Sequence, residues 1–416
     1  MSSTYDEAFL LFQQTCADSV YTVSSKFNHS RTKPPQDESD SFCVHLAPDC
    51  FLIGKICCDG HGVGGEVIAK IGIMKLKAHF GAKTIAYASL DQREVYADIT
   101  MAFESIQQAI YDTRMPGGST CFVAWSLVWA DGRDTDVHVA NIGDSPVFAI
   151  TPTEVVRMTI DDSPTNKEEA ERLMALSNGD GLIPVYADRQ SNYNSPPVFR
   201  KVQRDDAIHL ELDVDTPIAI GLKSTLRSGE MPTYWVNKRT ACNMVCIAVS
   251  RTFGNNDKRR NGMISTPHLR SFRVTPGQQV YIFGCSDGWM DAHYEDHIGH
   301  IIRSTMASSA TTQDAATALV AQGFQSVISW QKELSKCATY PDGYDYPLEQ
   351  VHVGWDDVTC TIMDVSKWPA RREASVASQE ASLASQEASV ASREASVDVS
   401  LTVSDGEINV SIAVKA

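Results

Sequence analysis

The sequence has few of the features that place a protein in a membrane or in an oxidising compartment. No run approaches the roughly 18 consecutive apolar residues of a membrane span, and the first residues, MSSTYD, form no basic and apolar leader. The eleven cysteines include no Cys-x-x-Cys pair, which argues against a zinc ribbon or a disulfide framework. We therefore expect a cytoplasmic or nuclear protein that does not bind membranes.

Basic charge is also scarce. The 36 Lys and Arg residues are outnumbered by 52 Asp and Glu residues, giving a net charge of −16, which argues against a nucleic-acid partner. The chain of 416 residues is 43% hydrophobic, enough to build a sizeable core. We expect a globular monomer with one large domain or two small ones.

The composition changes sharply near the C-terminus. Residues 373–399 repeat a heptad of the type EASVASQ, with one large apolar residue in each repeat. A coiled coil needs bulky residues at two positions of the heptad, so we interpret 370–416 as a low-complexity tail after a domain spanning 1–369. The tail would serve as a spacer or mediate weak self-association. Its last part, 399–414, alternates apolar and polar residues and predicts a short hairpin around Asp405-Gly406.

Within 1–369, strand patterns come in clusters with helical patterns between them. The β-rich runs are 51–58, 120–130, 136–142, 245–249, 280–285 and 358–365. Helical periodicity covers 65–80, 97–113, 295–306 and 313–335. This order predicts an α+β fold in which helices cover antiparallel sheets. Residues 173–243 are rich in Gly, Pro, Asn and Asp and only weakly periodic, which indicates an inserted loop or subdomain such as a lid.

Aspartates mark the ends of several predicted strands. These are Asp40, Asp59, Asp144, Asp287 and Asp356. Carboxylates that meet in space repel one another unless a cation neutralises them, and sites made only of oxygen ligands favour Mg²⁺ or Mn²⁺ over Zn²⁺. The glycine after Asp59 allows close backbone approach, so the carbonyl of Gly60 is a further candidate ligand. Two such ions would activate a water against a phosphorus atom.

Each motif has an ordinary structural explanation when it is taken alone. An Asp-Gly pair is more often a turn than a metal site, and in Asp59-Gly60-His61-Gly62 the histidine could be a capping or surface residue. The apolar stripes at 97–113 and 313–335 are typical of core packing. Only the ordered set of motifs favours a functional site, and only if the strands converge.

Taken in order, the motifs resemble the metal-dependent serine/threonine protein phosphatases of type 2C, over about Asp40 to Asp364. The segments that carry the resemblance are FLIGKICCDGHGVGGEVIA at 51–69, GGST at 117–120, VANIGDS at 139–145, DDSP at 161–164 with Glu169 and Arg172, AVSRTFG at 248–254, FGCSDGWMD at 283–291 and WDDVT at 355–359. Each segment is a weak signal, but seven in sequence at sensible spacing are specific.

The resemblance implies a four-layer sandwich in which two central antiparallel β-sheets are flanked by pairs of helices. It also implies a centre of two Mn²⁺ or Mg²⁺ ions, with room for a third, that activates water to hydrolyse phosphoserine and phosphothreonine in proteins. The implied metal ligands are Asp40, Asp59, Gly60, Asp144, Asp287 and Asp356. His61 would be the general acid that protonates the leaving oxygen, a role that suits a near-neutral pKa.

The chain departs from the family pattern at several positions. Pro146, Asn255 and Asp357 replace the usual Arg, Asp and Asn. Arg31 is the predicted phosphate-binding residue with Lys33 as its rival, and Asp37 competes with Asp40 for the first acidic position. The alternative function is a catalytically weak phosphatase-like module that binds phosphoproteins, but such a module should have lost the metal carboxylates or His61.

Overall fold

The computed structural model describes residues 14, 18–25, 36–176, 181–186, 196–205, 207–219, 233–236, 247–334, 357–369, 397–404 and 407–414. The chain divides into two compact units, Met1–Ala370 and Arg371–Ala416. Of the predicted site residues, Arg31 and Asp356 lie outside the described residues, as does Lys33.

The strands of this described part are numbered β1 to β19 in chain order. They are β1 (Val20–Ser25), β2 (Glu38–Ala47), β3 (Cys50–Cys58), β4 (Gly60–His61), β5 (Gly118–Ser119), β6 (Cys121–Trp129), β7 (Thr135–Ile142), β8 (Val147–Ile150), β9 (Val155–Arg157), β10 (Ile183–Tyr186), β11 (Phe199–Arg204), β12 (Ala207–Leu212), β13 (Thr233–Val236), β14 (Phe253–Gly254), β15 (His268–Val274), β16 (Tyr281–Cys285) and β17 (Val358–Asp364), followed in the second unit by β18 (Val397–Ser404) and β19 (Glu407–Val414). The α-helices are α1 (Gly65–Gly81), α2 (Gln92–Tyr111), α3 (Lys167–Met174), α4 (Asp215–Ala219), α5 (Asp287–Met290), α6 (Ile298–Ser308) and α7 (Thr312–Leu334).

Two five-stranded antiparallel sheets form the centre of the first unit. One has the order β1-β17-β16-β8-β9 and the other β15-β7-β6-β3-β2. The hairpin predicted around Asp131-Gly132 is present as β6 and β7, with Cys121 opposite Ile142. A small three-stranded sheet, β14-β5-β4, lies where β3 ends.

Three hydrophobic clusters hold these elements together. In the first, α1 and α2 pack on the second sheet through residues such as Ile99, Phe103 and Trp125. The middle cluster joins the facing sides of the two sheets and includes Phe122 of one sheet and Ile282 of the other. The third packs α5, α6 and α7 on the outer side of the first sheet. Helices thus cover the outward faces of two sheets that pack on each other, and the predicted α+β class is confirmed.

Helix α2 shows how local sequence sets an element and its packing. Its start is a reciprocal capping box, in which Asp91 accepts from the amide of Glu94 and the Glu94 carboxylate accepts from the amide of Asp91. The stripe predicted at 97–113 is buried against the sheet at Ile99, Phe103 and Ile106. The interpretation of this stripe as core packing is confirmed.

One charged side chain lies between the two large sheets. Lys55 of β3 is fully buried, and its Nζ donates to the carbonyl oxygens of Ile282 and Thr361, the latter at 3.1 Å. The lysine therefore links β3 of one sheet to β16 and β17 of the other.

The stretch predicted as an insertion contains small β-elements. Strands β10 and β13 pair with each other, as do β11 and β12. A separate hydrophobic cluster packs these strands on α3, with Trp235 fully buried among Leu173, Leu182 and Ile247. We call this body the flap: β10–β13 together with Ile247, Ala248 and Val249.

In the second unit, β18 and β19 form an antiparallel hairpin in which Val397 is opposite Val414 and Ser404 is opposite Glu407. This matches the hairpin predicted over 399–414, whereas the heptads up to residue 396 lie outside the described residues. Among the helices that the structure describes, none combines the length and apolarity needed to cross a bilayer.

Candidate active site

The site begins where β3 ends. Asp59 follows Cys58, the last residue of that buried strand, and is itself 5% exposed. Its backbone carbonyl accepts from the amide of Thr120 at 2.9 Å, while the amide of Gly60 donates to the carbonyl of Gln36 at 3.2 Å. These bonds fix the backbone on both sides of the Asp59 carboxylate.

Gly60 occupies a position where two backbones touch. A Cβ added there would lie 2.6 Å from the carbonyl of Gly65 and 2.7 Å from that of Gln36. Only glycine permits this approach, because any larger residue would displace backbone rather than a flexible side chain. The close packing explains why the motif needs glycine, and the predicted metal contact of the Gly60 carbonyl stays a prediction.

Asp144 and Asp287 reach the same cleft from other strands. Asp144 follows β7 through Gly143, whose φ of 93° favours glycine and whose amide donates to Asp162 Oδ2 at 2.7 Å. Asp287 is the first residue of α5, directly after β16 and Ser286. Asp287 Oδ1 is buried and has no hydrogen-bond partner.

The electrostatics of these carboxylates fit a cation. Burial raises the pKa of Asp144 well above its ordinary range, and the negative charges of Asp287, Asp161 and Asp291 raise it further. Such mutual repulsion is relieved when a positive ion binds among the carboxylates. A buried oxygen with no partner on Asp287, in a set of oxygen donors only, suits a hard divalent cation such as Mg²⁺ or Mn²⁺.

His61 lies beside the carboxylates in β4. Its Nε2 is 2.7 Å from Asn255 Oδ1, and the amide nitrogen of Asn255 donates to the Pro116 carbonyl at 3.5 Å. Because that amide oxygen can only accept, Nε2 carries the proton. Gly118 makes room for the pair, since a Cβ there would lie 2.0 Å from Asn255 Oδ1 and 2.5 Å from His61 Nε2.

The surroundings of His61 favour the neutral imidazole. Burial lowers its pKa, the hydrogen bond with Asn255 opposes burial, the charge of Lys258 lowers the pKa further, and the charge of Asp287 raises it. The net direction is downward from the ordinary value of 6.5. The pKa of His61 is therefore shifted downward from the near-neutral value expected from the sequence.

A cleft of about 460 Å³ brings four of the predicted residues together. They are Asp59, His61, Asp144 and Asp287. The remaining wall is formed by Gly62, Val63, Pro116, Gly117, Thr120, Tyr234, Ile247, Ala248, Val249, Asn255 and Lys258. The convergence that the sequence could only assume is therefore present for this part of the set.

Asp40 is not brought to the cleft. It lies in β2 on the side of Phe42, which packs in the cluster with α1 and α2, and its Oδ2 is 2.6 Å from Lys77 Nζ. Side chains two residues apart in a strand share a face, so Asp40 points toward the helices. This placement corrects the expectation that Asp40 joins the other carboxylates.

Asp37, the alternative to Asp40, is buried close to the backbone of Gly60. It is 3% exposed, and its Oδ2 accepts from Thr359 Oγ1 at 2.8 Å. The amide of Asp37 and that of Gln36 donate to Asp357 Oδ2 at 3.3 and 2.6 Å. Asp37, the competing candidate from the sequence, therefore lies close to Gly60 and to Asp357, the residue that follows Asp356.

A second acidic group lies behind the cleft. Asp162, Glu169 and His268 offer ligand atoms within 4.8 Å of one another and could hold a metal ion. However, Arg251 Nη2 is 2.6 Å from Glu169 Oε1, and His268 Nε2 is 2.7 Å from Asp162 Oδ1. Since cationic and hydrogen-bonding groups already surround these carboxylates, we interpret the group as an ion-pair network. Its bond from Gly143 to Asp162 holds the loop that carries Asp144.

Sequence reasoning did not single out four residues that the site contains. Asn255 was noted only as a departure, and Thr120, Lys258 and Asp291 were given no role. Asp291 follows Asp287 by four residues, its amide donates to the Asp287 carbonyl at 2.8 Å, and its charge acts on Asp144. The spacing of four residues was the available signal for Asp291. Nothing local in the sequence marks Lys258.

Comparison with known proteins gives the following similarities. No protein-family model matches the chain. A protein described as a probable protein phosphatase of Dictyostelium discoideum is 23% identical over 232 residues, which are 54% of this chain and 18% of that protein. This chain thus spans less than a fifth of the length of that curated relative.

Two solved structures are similar over most of the chain. The serine/threonine phosphatase of Staphylococcus aureus is 15% identical, with 83% of this chain and 94% of that chain covered and a TM-score of 0.45. The serine-threonine phosphatase 2C of Toxoplasma gondii is 16% identical, with 82% and 98% covered and a TM-score of 0.47.

Proposed function

We propose that the chain is a metal-dependent protein serine/threonine phosphatase, which hydrolyses phosphoserine and phosphothreonine in phosphorylated proteins with two bound Mn²⁺ or Mg²⁺ ions. The observation that carries the proposal is the meeting of Asp59, Asp144, Asp287 and His61 in one cleft. The Dictyostelium relative is described as a probable protein phosphatase, which supports the same activity.

The metal would be held by the carboxylates of Asp59, Asp287 and Asp356 and by the carbonyl of Gly60. Asp37 replaces Asp40 in this proposal, and Asp144 with Asp291 would complete a further position. When bound, the ions supply a water of lowered pKa and positive charge against the phosphate.

The side chains of the cleft perform the remaining tasks. The carboxylates would hold the cations at the end of β3, because backbone hydrogen bonds anchor the chain on both sides of the Asp59 side chain. Asn255 holds the His61 ring through Nε2. Nδ1 carries a proton only in the imidazolium form, so His61 would have to be doubly protonated to donate from Nδ1 to the leaving oxygen of serine or threonine. Arg31 stays our proposed contact to the substrate phosphate.

The flap would form the side of the cleft that contacts the protein substrate. Tyr234, Ile247 and Val249 line the cleft from this body, which supports a substrate-facing role for it. Binding of substrate between the flap and the carboxylates would also exclude water other than the attacking one.

The proposal is tested by hydrolysis of p-nitrophenyl phosphate in Mn²⁺. We expect activity in the full chain and its loss in Asp59→Asn and Asp287→Asn, because each substitution removes a negative charge from the cation site. Asp296→Asn is the matched control, since Asp296 is 80% exposed and pairs only with the neighbouring His297 among the ion pairs described.

The outcomes separate the competing functions. Hydrolysis that survives both cleft substitutions would overturn the metal assignment. Absence of hydrolysis with any divalent ion, in a folded protein that still binds a phosphopeptide, would favour the alternative of a phosphatase-like binding module.

A further inference from the structure

One cation lines the cleft together with the carboxylates. Lys258 is the only lysine or arginine among the described residues that line it. Its side chain is 16% exposed, so the ammonium group is held at the wall rather than free in solvent. It also lies close enough to His61 for its charge to lower the pKa of that histidine.

The contacts of Lys258 leave it suited to bind an anion. Its Nζ is 3.3 Å from both oxygens of Asp257, a neighbour whose side chain is 62% exposed and therefore well solvated. A solvated ion pair of this kind contributes little to stability, so Lys258 can exchange Asp257 for a better partner. Divalent ions in the cleft would repel the ammonium, and an anion bound between them would relieve that repulsion.

The rest of the wall on the flap side is apolar and firmly held. Tyr234, Ile247 and Val249 line the cleft, and Tyr234 is 37% exposed. Its neighbour Trp235 points the other way into the flap core, donates Nε1–H to the Asp162 carbonyl at 3.1 Å and exchanges backbone hydrogen bonds with Ile247. The exposed ring of Tyr234 is therefore presented by a fixed strand.

We propose that Lys258 binds the phosphate of the substrate and that Tyr234 and Ile247 bind an apolar side chain next to the phosphorylated residue. The substrate class is then a phosphoserine or phosphothreonine peptide with an apolar neighbour. This inference rests on the proposed function, and it adds a phosphate contact from the segment after the AVSR motif.

The first test measures binding without turnover. The probe is a peptide with a non-hydrolysable phosphonate in place of phosphoserine and a leucine beside it, titrated by fluorescence anisotropy in Mn²⁺. Loss of a hydrogen bond to a charged group predicts a roughly tenfold or greater rise in Kd for Lys258→Met. Lys258→Arg should restore most of the affinity because it keeps the charge.

Arg260→Met is the matched control. Arg260 lies in the same short helical turn, Asn256–Asn261, but is exposed and does not line the cleft. We expect its Kd to equal that of the unmodified chain. Equal Kd values for Lys258→Met and the unmodified chain would overturn the assignment, as would failure of Lys258→Arg to bind better than Lys258→Met.

The second test addresses the apolar neighbour. The unmodified chain should bind the leucine peptide several-fold more tightly than a matched peptide with aspartate there, and Tyr234→Ser should remove most of that preference because apolar contact is lost. Equal binding of the two peptides by the unmodified chain would overturn this part. Because both readouts are affinities, a folded protein that shows these effects without any hydrolysis would contradict the phosphatase and not the Lys258 subsite.

Discussion

Asp37 and Asp40 are three positions apart. Because this is an odd number of positions in extended chain, their side chains lie in different surroundings. Asp37 is buried beside Thr359, whereas Asp40 forms a half-exposed ion pair with Lys77. We expect Asp37→Asn to raise the Mn²⁺ concentration for half-maximal hydrolysis about tenfold or more, as is typical when a group that supports a metal is changed. Asp40→Asn should leave it unchanged. The measurement is a Mn²⁺ titration of both variants, and the reverse result would return Asp40 to the metal set.

The choice between these two aspartates shows where sequence reasoning stops at the residue scale. Both precede or begin the same apolar run, so spacing alone could not decide between them. The decision depends on the contact of β2 with α1, which brings Lys77 to Asp40. The pairing of His61 with Asn255, 194 residues away in the chain, likewise depends on tertiary structure. In contrast, the places of Asp59, Asp144 and Asp287 at strand ends could be predicted from the sequence, although their meeting in one cleft could only be assumed.

Glu169 makes a pH-dependent contribution to stability. Burial alone would raise its pKa, but hydrogen bonds from Arg172 and Arg251 outweigh burial and lower the pKa from 4.5 to about 2. A lowered folded-state pKa stabilises the fold above pH 4.5, and this contribution is lost as the pH falls toward 2. We expect Glu169→Gln to reduce the free energy of unfolding by about 2–3 kcal/mol at neutral pH, and by progressively less in acid.

Urea denaturation at several pH values between 3 and 7 measures this effect. The unmodified chain and Glu169→Gln should converge in stability toward the acid end of the range. Glu168→Gln is the matched control, because Glu168 is exposed on the same helix, α3. A constant difference between Glu169→Gln and the unmodified chain at every pH would exclude the ionised network as its cause.

At the scale of elements, Lys55 connects the two sheets at an electrostatic cost. Burial lowers its pKa well below 10.5, so the folded state releases the proton at a lower pH than the unfolded chain does. The stability penalty is therefore full below the folded-state pKa and disappears as the pH rises toward 10.5. Lys55→Met replaces the lysine by an apolar side chain of similar length. We expect it to be as stable as the unmodified chain or about 1–3 kcal/mol more stable at neutral pH.

The check on Lys55 is thermal or urea unfolding between pH 7 and 10. The stability of the unmodified chain should rise relative to that of Lys55→Met over this range, because of the two side chains at position 55 only lysine titrates. The carbonyls that lose the donor belong to β16 and β17, strands paired on both sides, so few unsatisfied groups result. A large loss of stability in Lys55→Met would show instead that the bonds to Ile282 and Thr361 outweigh the burial of the ammonium.

The elements themselves were predictable to very different degrees. Helices α1, α2, α6 and α7 and strands β3, β6, β7, β16 and β17 match runs predicted from the sequence. Strands β2 and β15 of the same central sheets were not predicted. The start of α2 at Gln92 was missed, since the capping box at Asp91 and Glu94 lies before the apolar stripe. The flap strands are short and their burial alternates only weakly, as in β11 and β12. Their pairing depends on a core centred on Trp235 rather than on a local pattern.

For the whole molecule, the net charge of −16 has a consequence for substrate binding. A phosphate dianion is repelled by the chain as a whole, so its binding depends on positive charge concentrated at the cleft. Bound divalent ions and Lys258 would supply that charge. The acidic composition that argued against nucleic acid therefore agrees with a phosphatase only if cations are present.

The second unit, Arg371–Ala416, is expected to be dispensable for the chemistry. Every cleft residue described here lies in the first unit. A chain ending at residue 370 should therefore keep kcat/KM on a phosphopeptide and its melting temperature. Size-exclusion chromatography of both chains would show whether the tail contributes weak self-association. Loss of turnover in the shortened chain, with its melting temperature unchanged, would instead assign the tail a direct part in substrate binding.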